Sequence, residues 1–497
     1  MVTPSLEQAR AFAAQGYKTC PISCEIFADI KTPVETLRVL LGKSNHCFLL
    51  ESVEDAEKWG RYTFLGFDPK LEVTCLDGDM HLRGAQNEDF HTEDPGAVLQ
   101  KLIESHRSPR IPGLPPFTGG LVGYFAYDFI QYGEPRLRRE DDGGDQEHFN
   151  DVDVMLFDKL IAFDNFRQKL IFLVNIPLEG DVEAAYREGV EALRALVDLV
   201  RHGQPAPSDP GRRTTPWKRL FTEEQYCAMV ERAKQYIYDG DIFQVVLGDR
   251  MEAGYTGSLL DMYRVLRTQN PSPYMFFFSS DNLEIAGASP ETLVKLENGV
   301  LHTYPLAGSR PRGATPDEDE RLARDLRQDP KELSEHNMLV DLGRNDLGRV
   351  SKFGTVRVEQ YLNVLRFSHI MHLGSTVTGE IRDDCTAVDA LTSVLPAGTL
   401  SGAPKVRACE IIRELEACKR GIYGGAIGYL DFAGNLDTCI AIRIAYKRGG
   451  KVFVRAGAGI VADSVPEREF QECKNKARAV IEAIDQAQEG IDRDFID

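Results

Sequence analysis

Polar and apolar residues alternate over two stretches in the N-terminal part of the chain, 151–162 and 168–175. A period of two is typical of strands that bury one face, so both stretches are predicted as antiparallel strands. The segment 181–201 is predicted as a helix that follows them. An acidic stretch, 139–147, is predicted as a solvated loop.

A proline-rich stretch, 201–216, interrupts this pattern. Its four prolines and two glycines disfavour a helix or an inner strand, so we predict a linker there. The linker separates a predicted N-terminal domain, 1–200, from a second domain, 217–497. In the second domain, 222–239 predicts a helix and 242–250 a strand, and strands and helices then mix without a regular βαβ order. This mixture predicts an α+β fold with antiparallel sheets instead of a doubly wound fold.

The composition of the chain limits the kinds of molecule it is expected to bind. The formal charge of −19 argues against nucleic acid or an anionic membrane as a partner, but it leaves room for an anionic small substrate bound by local cations. No stretch approaches the roughly 18 apolar residues of a membrane span, and the chain does not start with a signal-peptide layout. The ten cysteines form no Cys-x-x-Cys pair, which indicates reduced thiols and a cytoplasmic protein.

The last predicted helix carries charges at unusual positions. Ser464 and Glu467 fit a capping box that would begin the helix. Helical spacing then puts six apolar residues on one side of the helix, where they would form a buried stripe: Phe470, Cys473, Ala477, Val480, Ile481 and Ile484. Glu469, Glu472 and Lys476 border this stripe instead of occupying the side that faces water. Charges beside a buried stripe require a partner.

A second pair, Glu332 and Glu335, has the same spacing after the predicted N-cap Asp329. Two carboxylates three residues apart lie on one side of a helix, and two such helices facing each other would bring four carboxylates together. A hard cation between them relieves the repulsion, and Mg²⁺ suits oxygen ligands. The alternatives are that Glu332 only caps its helix and that Glu472 forms an ordinary surface pair one turn from a lysine.

A glycine stretch, 457–462, follows the strand-like segment 451–455 and matches the dinucleotide fingerprint G-x-G-x-x-A. The helix begins after this motif instead of inside it, and no βαβ unit surrounds it. A nicotinamide-dependent dehydrogenase is therefore a weak alternative. We predict instead that these glycines expose backbone N–H groups to a small anion such as a carboxylate.

Ordered motifs occur along the whole chain. In the C-terminal half they are GDIFQVVLGDR (240–250), PSPYMFF (271–277), GASPE (287–291), YPLAGSRPRG (304–313), EHNMLVDLGRND (335–346), MHLGSTVTG (371–379), LPAGTLSGAPK (395–405), YGGAIGY (423–429) and RAGAGIVADSVPEREFQECKNKA (455–477). In the N-terminal half they are LLES (49–52) and FTGGLVGYFAYD (117–128). Taken together, these motifs resemble those of the chorismate-utilising enzymes, and most closely the component I chains of anthranilate synthases. The resemblance implies antiparallel sheets in a sandwich flanked by helices, with 1–200 as a regulatory domain and 217–497 as a chorismate-binding catalytic domain.

The resemblance also implies roles for individual residues. Glu335 and Glu472 would bind Mg²⁺, with Glu332 and Glu469 beside them through water, and the ion would hold the ring carboxylate of chorismate. The implied catalytic residues are Glu291, the acid that assists loss of the C4 hydroxyl, with His372, Thr399 and Lys476. The implied substrate contacts are Gly308, Ser309, Tyr423, Arg443, Gly457, Ala458 and Gly459. The implied tryptophan-binding residues are Glu51, Ser52, Pro273, Tyr274 and Met275, for which the alternative is packing between the two halves.

Ala307 distinguishes between the reactions that the resemblance allows. Family members that make 4-amino-4-deoxychorismate, isochorismate or salicylate typically carry lysine there, and alanine leaves C2 open to ammonia. The implied reaction converts chorismate and ammonia to anthranilate and pyruvate under tryptophan feedback. 4-Amino-4-deoxychorismate synthase and a non-catalytic tryptophan sensor are the alternatives.

Two further implications concern the partner chain and departures from the family pattern. No glutaminase motif is present, so a glutamine amidotransferase partner in a heterotetramer is expected to supply the ammonia. Ser309 stands where the family usually has threonine, and Gly248 where it usually has serine.

Overall fold

The fold is that of a computed structural model, which describes residues 2–52, 60–138, 147–366 and 370–490. The predicted acidic loop, apart from Glu147, lies outside these residues. Within them no helix is long and apolar enough to cross a membrane.

The helices of the described residues are α1 (Leu6–Ala14), α2 (Pro33–Leu41), α3 (Pro95–Ser105), α4 (Ile130–Gly133), α5 (Val182–His202), α6 (Glu223–Tyr238), α7 (Leu260–Gln269), α8 (Pro316–Gln328), α9 (Pro330–Gly348), α10 (Ala387–Val394), α11 (Lys405–Glu416) and α12 (Pro466–Gln488). Short 3₁₀ helices span Tyr127–Phe129, Pro135–Leu137 and Gly398–Leu400.

The strands are β1 (Thr19–Phe27), β2 (Cys47–Glu51), β3 (Tyr62–Phe67), β4 (Leu71–Leu76), β5 (Asp79–Gly84), β6 (Glu88–His91), β7 (Gly120–Phe125), β8 (Val152–Phe157), β9 (Lys159–Asp164), β10 (Lys169–Pro177), β11 (Arg212–Arg213), β12 (Lys218–Arg219), β13 (Gln244–Thr256), β14 (Tyr274–Ser279), β15 (Leu283–Ser289), β16 (Thr292–Glu297), β17 (Val300–Thr303), β18 (Leu306–Pro311), β19 (Arg357–Arg366), β20 (Ile370–Glu380), β21 (Gly402–Ala403), β22 (Ala426–Asp431), β23 (Leu436–Ile440), β24 (Ile444–Arg448) and β25 (Lys451–Ile460).

Two large sheets contain all of these strands. The first has the order β1-β10-β9-β3-β2-β14-β15-β24-β25-β13-β11, with β12 and β21 also paired to β13. The second has the order β18-β20-β17-β16-β23-β22-β7-β8-β4-β5-β6, with β19 paired to β20. Every pairing between these strands is antiparallel. The predicted α+β sandwich of antiparallel sheets is therefore confirmed.

The two sheets bury a shared apolar core. Phe48 of β2 and Phe453 of β25 meet side chains of the second sheet there, among them Tyr124 of β7 and Phe157 of β8. Helices α1, α2, α5, α7 and α12 cover the outer face of the first sheet, and α3, α9 and α10 cover the outer face of the second. Both faces of these strands are largely buried, as in β8 and β10, because each sheet packs one face against the other sheet and its other face against helices.

Several predicted elements occur within a few residues of their predicted bounds. Asp181 caps α5 by accepting from two backbone N–H groups, and Thr222 caps α6 through a capping box. Strands β8, β9 and β10 cover the alternating stretches. Both sheets contain strands from either side of the predicted linker, and β11 begins inside it. The division into domains stays a prediction.

Two local predictions were wrong. Helix α12 begins at Pro466 with Val465 as its N-cap and no side-chain cap. The Ser464 hydroxyl instead accepts from the backbone N–H of Val461, so the predicted capping box with Glu467 does not form. The glycine stretch does not follow a strand but lies largely within one, because β25 continues to Ile460.

Candidate active site

Glu291 lies between β15 and β16 and faces the short 3₁₀ helix Gly398–Leu400. The Thr399 hydroxyl donates to Glu291 Oε1 over 3.2 Å. Although one side of the residue stays accessible, burial of the carboxyl raises its pKa from 4.5 to about 7, against smaller lowering effects of Thr399 and Lys476. A carboxyl that keeps its proton near neutral pH can act as a general acid.

His372 on β20 lies opposite Ser309 on β18, at a bulge made by Gly308. Gly308 adopts φ +69°, where a side chain would be strained, and an added Cβ would lie 2.9 Å from a Glu332 oxygen. The Gly308 carbonyl only accepts, so His372 Nδ1 donates to it over 2.8 Å. Burial lowers the pKa of His372, and the nearby Arg443 lowers it further. The neutral ring therefore carries its lone pair on Nε2.

The two carboxylate pairs lie on α9 and α12, close enough for Glu472 and Lys476 of α12 to influence the pKa of Glu335 on α9. Burial raises the pKa of Glu335, and the charges of Glu332 and Glu472 raise it further. Burial likewise raises the pKa of Glu469, and Glu472 adds to that shift. Lys476 Nζ lies 2.7 Å from Glu472 Oε1. The mutual repulsion of these carboxylates is what a bound cation would relieve.

The four carboxylates do not form a closed set of metal ligands among the described residues. No three His, Cys, Asp or Glu side chains are grouped to hold a metal ion anywhere in the described parts of the chain. Arg310 occupies one side of Glu332, with Nη1 3.5 Å from Oε1, and it also binds Asp325 and Asp329. Mg²⁺ characteristically uses one or two carboxylates and completes its shell with water and substrate oxygens, so these donors fit it chemically.

The glycines of β25 present their backbone groups to the same place. In an antiparallel ladder, two residues directly opposite each other either exchange both backbone hydrogen bonds or direct their N–H and C=O groups away from each other. Val246 and Gly248 of β13 donate away from β25, to Ser401 O and Glu416 Oε1, so their partners Gly459 and Gly457 point away from β13.

That side of β25 is not covered by β24. The pairing of β24 with β25 ends at Ala445 and Val454, so no described strand covers this side beyond Val454. Lys476 Nζ reaches the outward Gly457 carbonyl over 3.1 Å. The N–H groups of Gly457 and Gly459 therefore point to the side on which Lys476 lies. We call the space bordered by these glycines, Lys476, Glu291 and Arg443 the cleft.

Tyr423 and Arg443 complete this side of the cleft. A Cβ on Gly457 would lie 2.9 Å from the Tyr423 hydroxyl, so glycine allows that hydroxyl to approach the strand. Arg443 adopts φ +53°, which is strained for a non-glycine residue. It makes no ion pair with any residue the structure describes, and burial lowers its pKa. An unpaired guanidinium beside outward N–H groups suits a carboxylate ligand.

The five residues predicted to bind tryptophan all line one cavity of about 310 Å³, whose walls, as far as the described residues form them, include none of the predicted catalytic residues. Apolar and aromatic groups dominate its wall, with Lys295 and Asp437 among the polar ones. The Tyr274 hydroxyl donates to Asp437 Oδ1 over 2.9 Å. The Glu51 carboxylate accepts from Arg267 Nε at 2.6 Å and also binds the Tyr263 hydroxyl, so its charge is already compensated by α7.

The sequence analysis did not predict that Arg310 binds Glu332. It also did not predict a buried ionic network of Glu416, Arg420 and Arg455. The only signal was the pair of opposite charges at positions 416 and 420, four residues apart. Nothing in the sequence links that pair to Arg455 in β25.

Known proteins are similar to this chain over most of its length. The pattern that defines the family described as "chorismate binding enzyme" matches residues 45–482. Anthranilate synthase component 1 of Acetivibrio thermocellus is 45% identical over 98% of this chain and 100% of its own. The component 1 of Aquifex aeolicus is 43% identical, with 98% of each chain covered. The crystal structure of anthranilate synthase component I from Streptococcus pneumoniae superimposes with a TM-score of 0.74 at 36% identity, covering 92% of this chain and 98% of that one.

Proposed function

The chain belongs to the family of chorismate binding enzymes, and from this premise we propose that it is the large subunit of an anthranilate synthase. In the proposed reaction, ammonia adds at C2 of chorismate, the C4 hydroxyl leaves, and loss of pyruvate makes the ring aromatic. The observation that carries the proposal is the position of Glu291, which is hydrogen-bonded to Thr399 and lies in a cleft with the outward N–H groups of β25 and with Arg443, an arginine that forms no ion pair with a described residue. Burial raises the pKa of the Glu291 carboxyl to about 7.

Each group has a separate task in this proposal. Glu291 donates its proton to the departing C4 hydroxyl, because a carboxyl with a pKa of about 7 can both hold and release it near neutral pH. Arg443, Tyr423 and the N–H groups of Gly457 and Gly459 hold the enolpyruvyl carboxylate. His372 offers a neutral Nε2 as a hydrogen-bond acceptor.

The four glutamates of α9 and α12 would hold Mg²⁺. Glu335 and Glu472 are the direct ligands in this proposal, and Glu332 and Glu469 bind through water. The bound ion would supply positive charge to the ring carboxylate of chorismate. Burial is the main cause of the raised pKa values of Glu335 and Glu469, and neighbouring carboxylates add to both shifts. These shifts support the proposal, since a cation would stabilise the ionised carboxylates.

Ala307 selects the product. It lies on β18 opposite Leu373, is 8% exposed, and comes directly before the Gly308 bulge. A methyl group supplies neither a nucleophile nor a base, so C2 is left to ammonia from solution or from a glutamine amidotransferase partner. We also propose that tryptophan binds the cavity beside Tyr274 and inhibits the reaction.

The test uses the purified full chain with chorismate, Mg²⁺ and an ammonium salt at alkaline pH. We expect fluorescent anthranilate and an equal amount of pyruvate. A product that keeps its enolpyruvyl group would assign the chain to 4-amino-4-deoxychorismate synthesis instead. Glu291→Gln, which keeps the shape but cannot donate a proton, should lower kcat by at least about a hundredfold.

A further inference from the structure

A fully buried ionic network lies beneath the cleft. Arg420 binds Glu416 through Nε at 3.0 Å and Nη2 at 2.5 Å, and Arg455 Nη2 binds the same carboxylate at 2.5 Å. The three side chains are at most 1% exposed. Burying three charges is expensive, and apolar side chains of similar size would often be as stable.

The network carries one excess positive charge. Burial alone would raise the pKa of Glu416, but the two guanidinium groups hold it below its ordinary value. Burial would also lower the pKa of each arginine, and Glu416 more than offsets this. All three groups therefore stay ionised, and the net charge is fixed at every working pH.

Arg420 and Glu416 bind the backbone segments that form the cleft. Arg420 Nη1 donates to the carbonyl of Leu400, which follows Thr399, at 2.5 Å. Arg420 Nη2 donates to Val246 O at 2.6 Å, and Val246 is the strand partner of Gly459.

Glu416 Oε1 accepts from Gly248 N at 2.7 Å, and Gly248 is the strand partner of Gly457. One carboxylate and one arginine therefore bind the 3₁₀ helix of Thr399 and the two residues of β13 that lie opposite the outward glycines of β25.

Both arginines also flank the ring of Tyr423. The guanidinium carbons of Arg420 and Arg455 lie 6.0 and 5.9 Å from its centre. Tyr423 is 3% exposed, and its hydroxyl reaches the Gly457 backbone. The excess charge therefore lies one aromatic ring away from the proposed carboxylate site, where a low dielectric weakens its screening.

We propose that Arg455, joined to Arg420 by Glu416, is a positioning residue that fixes Tyr423 and the glycines of β25 and adds positive potential for the substrate's enolpyruvyl carboxylate. This inference rests on the proposed function. It predicts an effect on chorismate binding and none on ammonia, because the hydrogen bonds that the network makes within the described residues do not include β18, the strand of Ala307.

The experiment compares Arg455→Met, which removes the charge, with Arg455→Lys, which keeps it. We expect the KM for chorismate to rise about tenfold in Arg455→Met and about threefold in Arg455→Lys, with the KM for ammonium unchanged. Calorimetric titration of chorismate into each variant without ammonium should show the same order of affinities. A wild-type chain that binds chorismate but makes no anthranilate defeats the proposed function and leaves this binding comparison valid.

The matched control is Arg61→Lys, which loses a two-bond pair with the buried Asp164 far from the cleft. It should cost stability without changing the KM for chorismate. Equal KM values in wild type and folded Arg455→Met would overturn the inference. If neither Arg455 variant is recovered folded while Arg61→Lys is, the network maintains the fold instead of the site, and the inference is also overturned.

Discussion

Glu291 should make the native protein less stable as the pH rises, and removing its charge should reverse that loss. Its pKa is raised from 4.5 to about 7 by burial. Each pKa unit corresponds to about 1.4 kcal/mol, so the fold disfavours the carboxylate by about 3 kcal/mol. The unfolded chain loses this proton near pH 4.5 and the native chain near pH 7. The stabilisation is therefore complete below pH 4.5 and is lost as the pH rises to 7.

Glu291→Gln cannot ionise, so it keeps this stability at high pH. At pH 8.5 we expect the variant to be about 3 kcal/mol more stable than wild type, and at pH 5 the two should differ by less than about 1 kcal/mol. With 497 residues and an unfolding entropy of about 2.1 cal/mol/K per residue, 3 kcal/mol corresponds to roughly 3 °C in Tm.

Calorimetric unfolding of both proteins between pH 5 and 8.5 measures this difference. Glu489→Gln, an exposed glutamate after α12, is the control and should show no gain that grows with pH. A constant difference between wild type and Glu291→Gln across this range would refute the reasoning. It would mean that the carboxyl is already ionised at pH 5 and cannot serve as the acid.

Three further outcomes are expected. Glu472→Gln should lower ammonia-dependent activity at least about a hundredfold while circular dichroism shows the fold intact, and chelation should abolish wild-type activity until Mg²⁺ is returned. Full activity in either experiment would contradict the proposed metal site. Ser52→Phe, which fills the cavity of about 310 Å³, should weaken tryptophan inhibition at least tenfold and leave the uninhibited rate within about twofold; unchanged inhibition would exclude that cavity. Gly248→Ser should raise the unfolding free energy by about 1 kcal/mol in urea titrations, because the added hydroxyl can accept from Arg455 Nε, a buried donor that has no hydrogen-bond partner among the described residues. An added Cβ lies 3.3 Å from that nitrogen, so a loss of stability would show that the strand cannot admit the side chain.

Local patterns predicted the elements whose signals are local. Asp181 and Thr222 cap the helices that follow them, because each hydrogen bond spans only two or three residues. Ser464 does not cap α12, because its hydroxyl accepts a hydrogen bond from the backbone N–H of Val461 in the preceding turn. The strand β25 was predicted too short, since its glycines are kept in the sheet by β13, some two hundred residues earlier.

The chemistry of single side chains was less predictable than their identity. The resemblance named Glu291, but only its surroundings show that burial outweighs Thr399 and Lys476 in setting its pKa. The burial of Arg455 could not be foreseen, because its partner Glu416 lies 39 positions away and on another element. Long-range pairing, not composition, decides which charges are buried.

The pairing of β2 with β14 has a consequence for synthesis. Leu50 lies opposite Phe276, so β2 leaves the ribosome 226 residues before the strand that covers one of its edges. During that interval the apolar segment CFLLE presents an open edge, the kind of surface on which nascent chains aggregate. We therefore expect the yield of this protein during synthesis to depend on chaperones that hold the chain until β14 has been made.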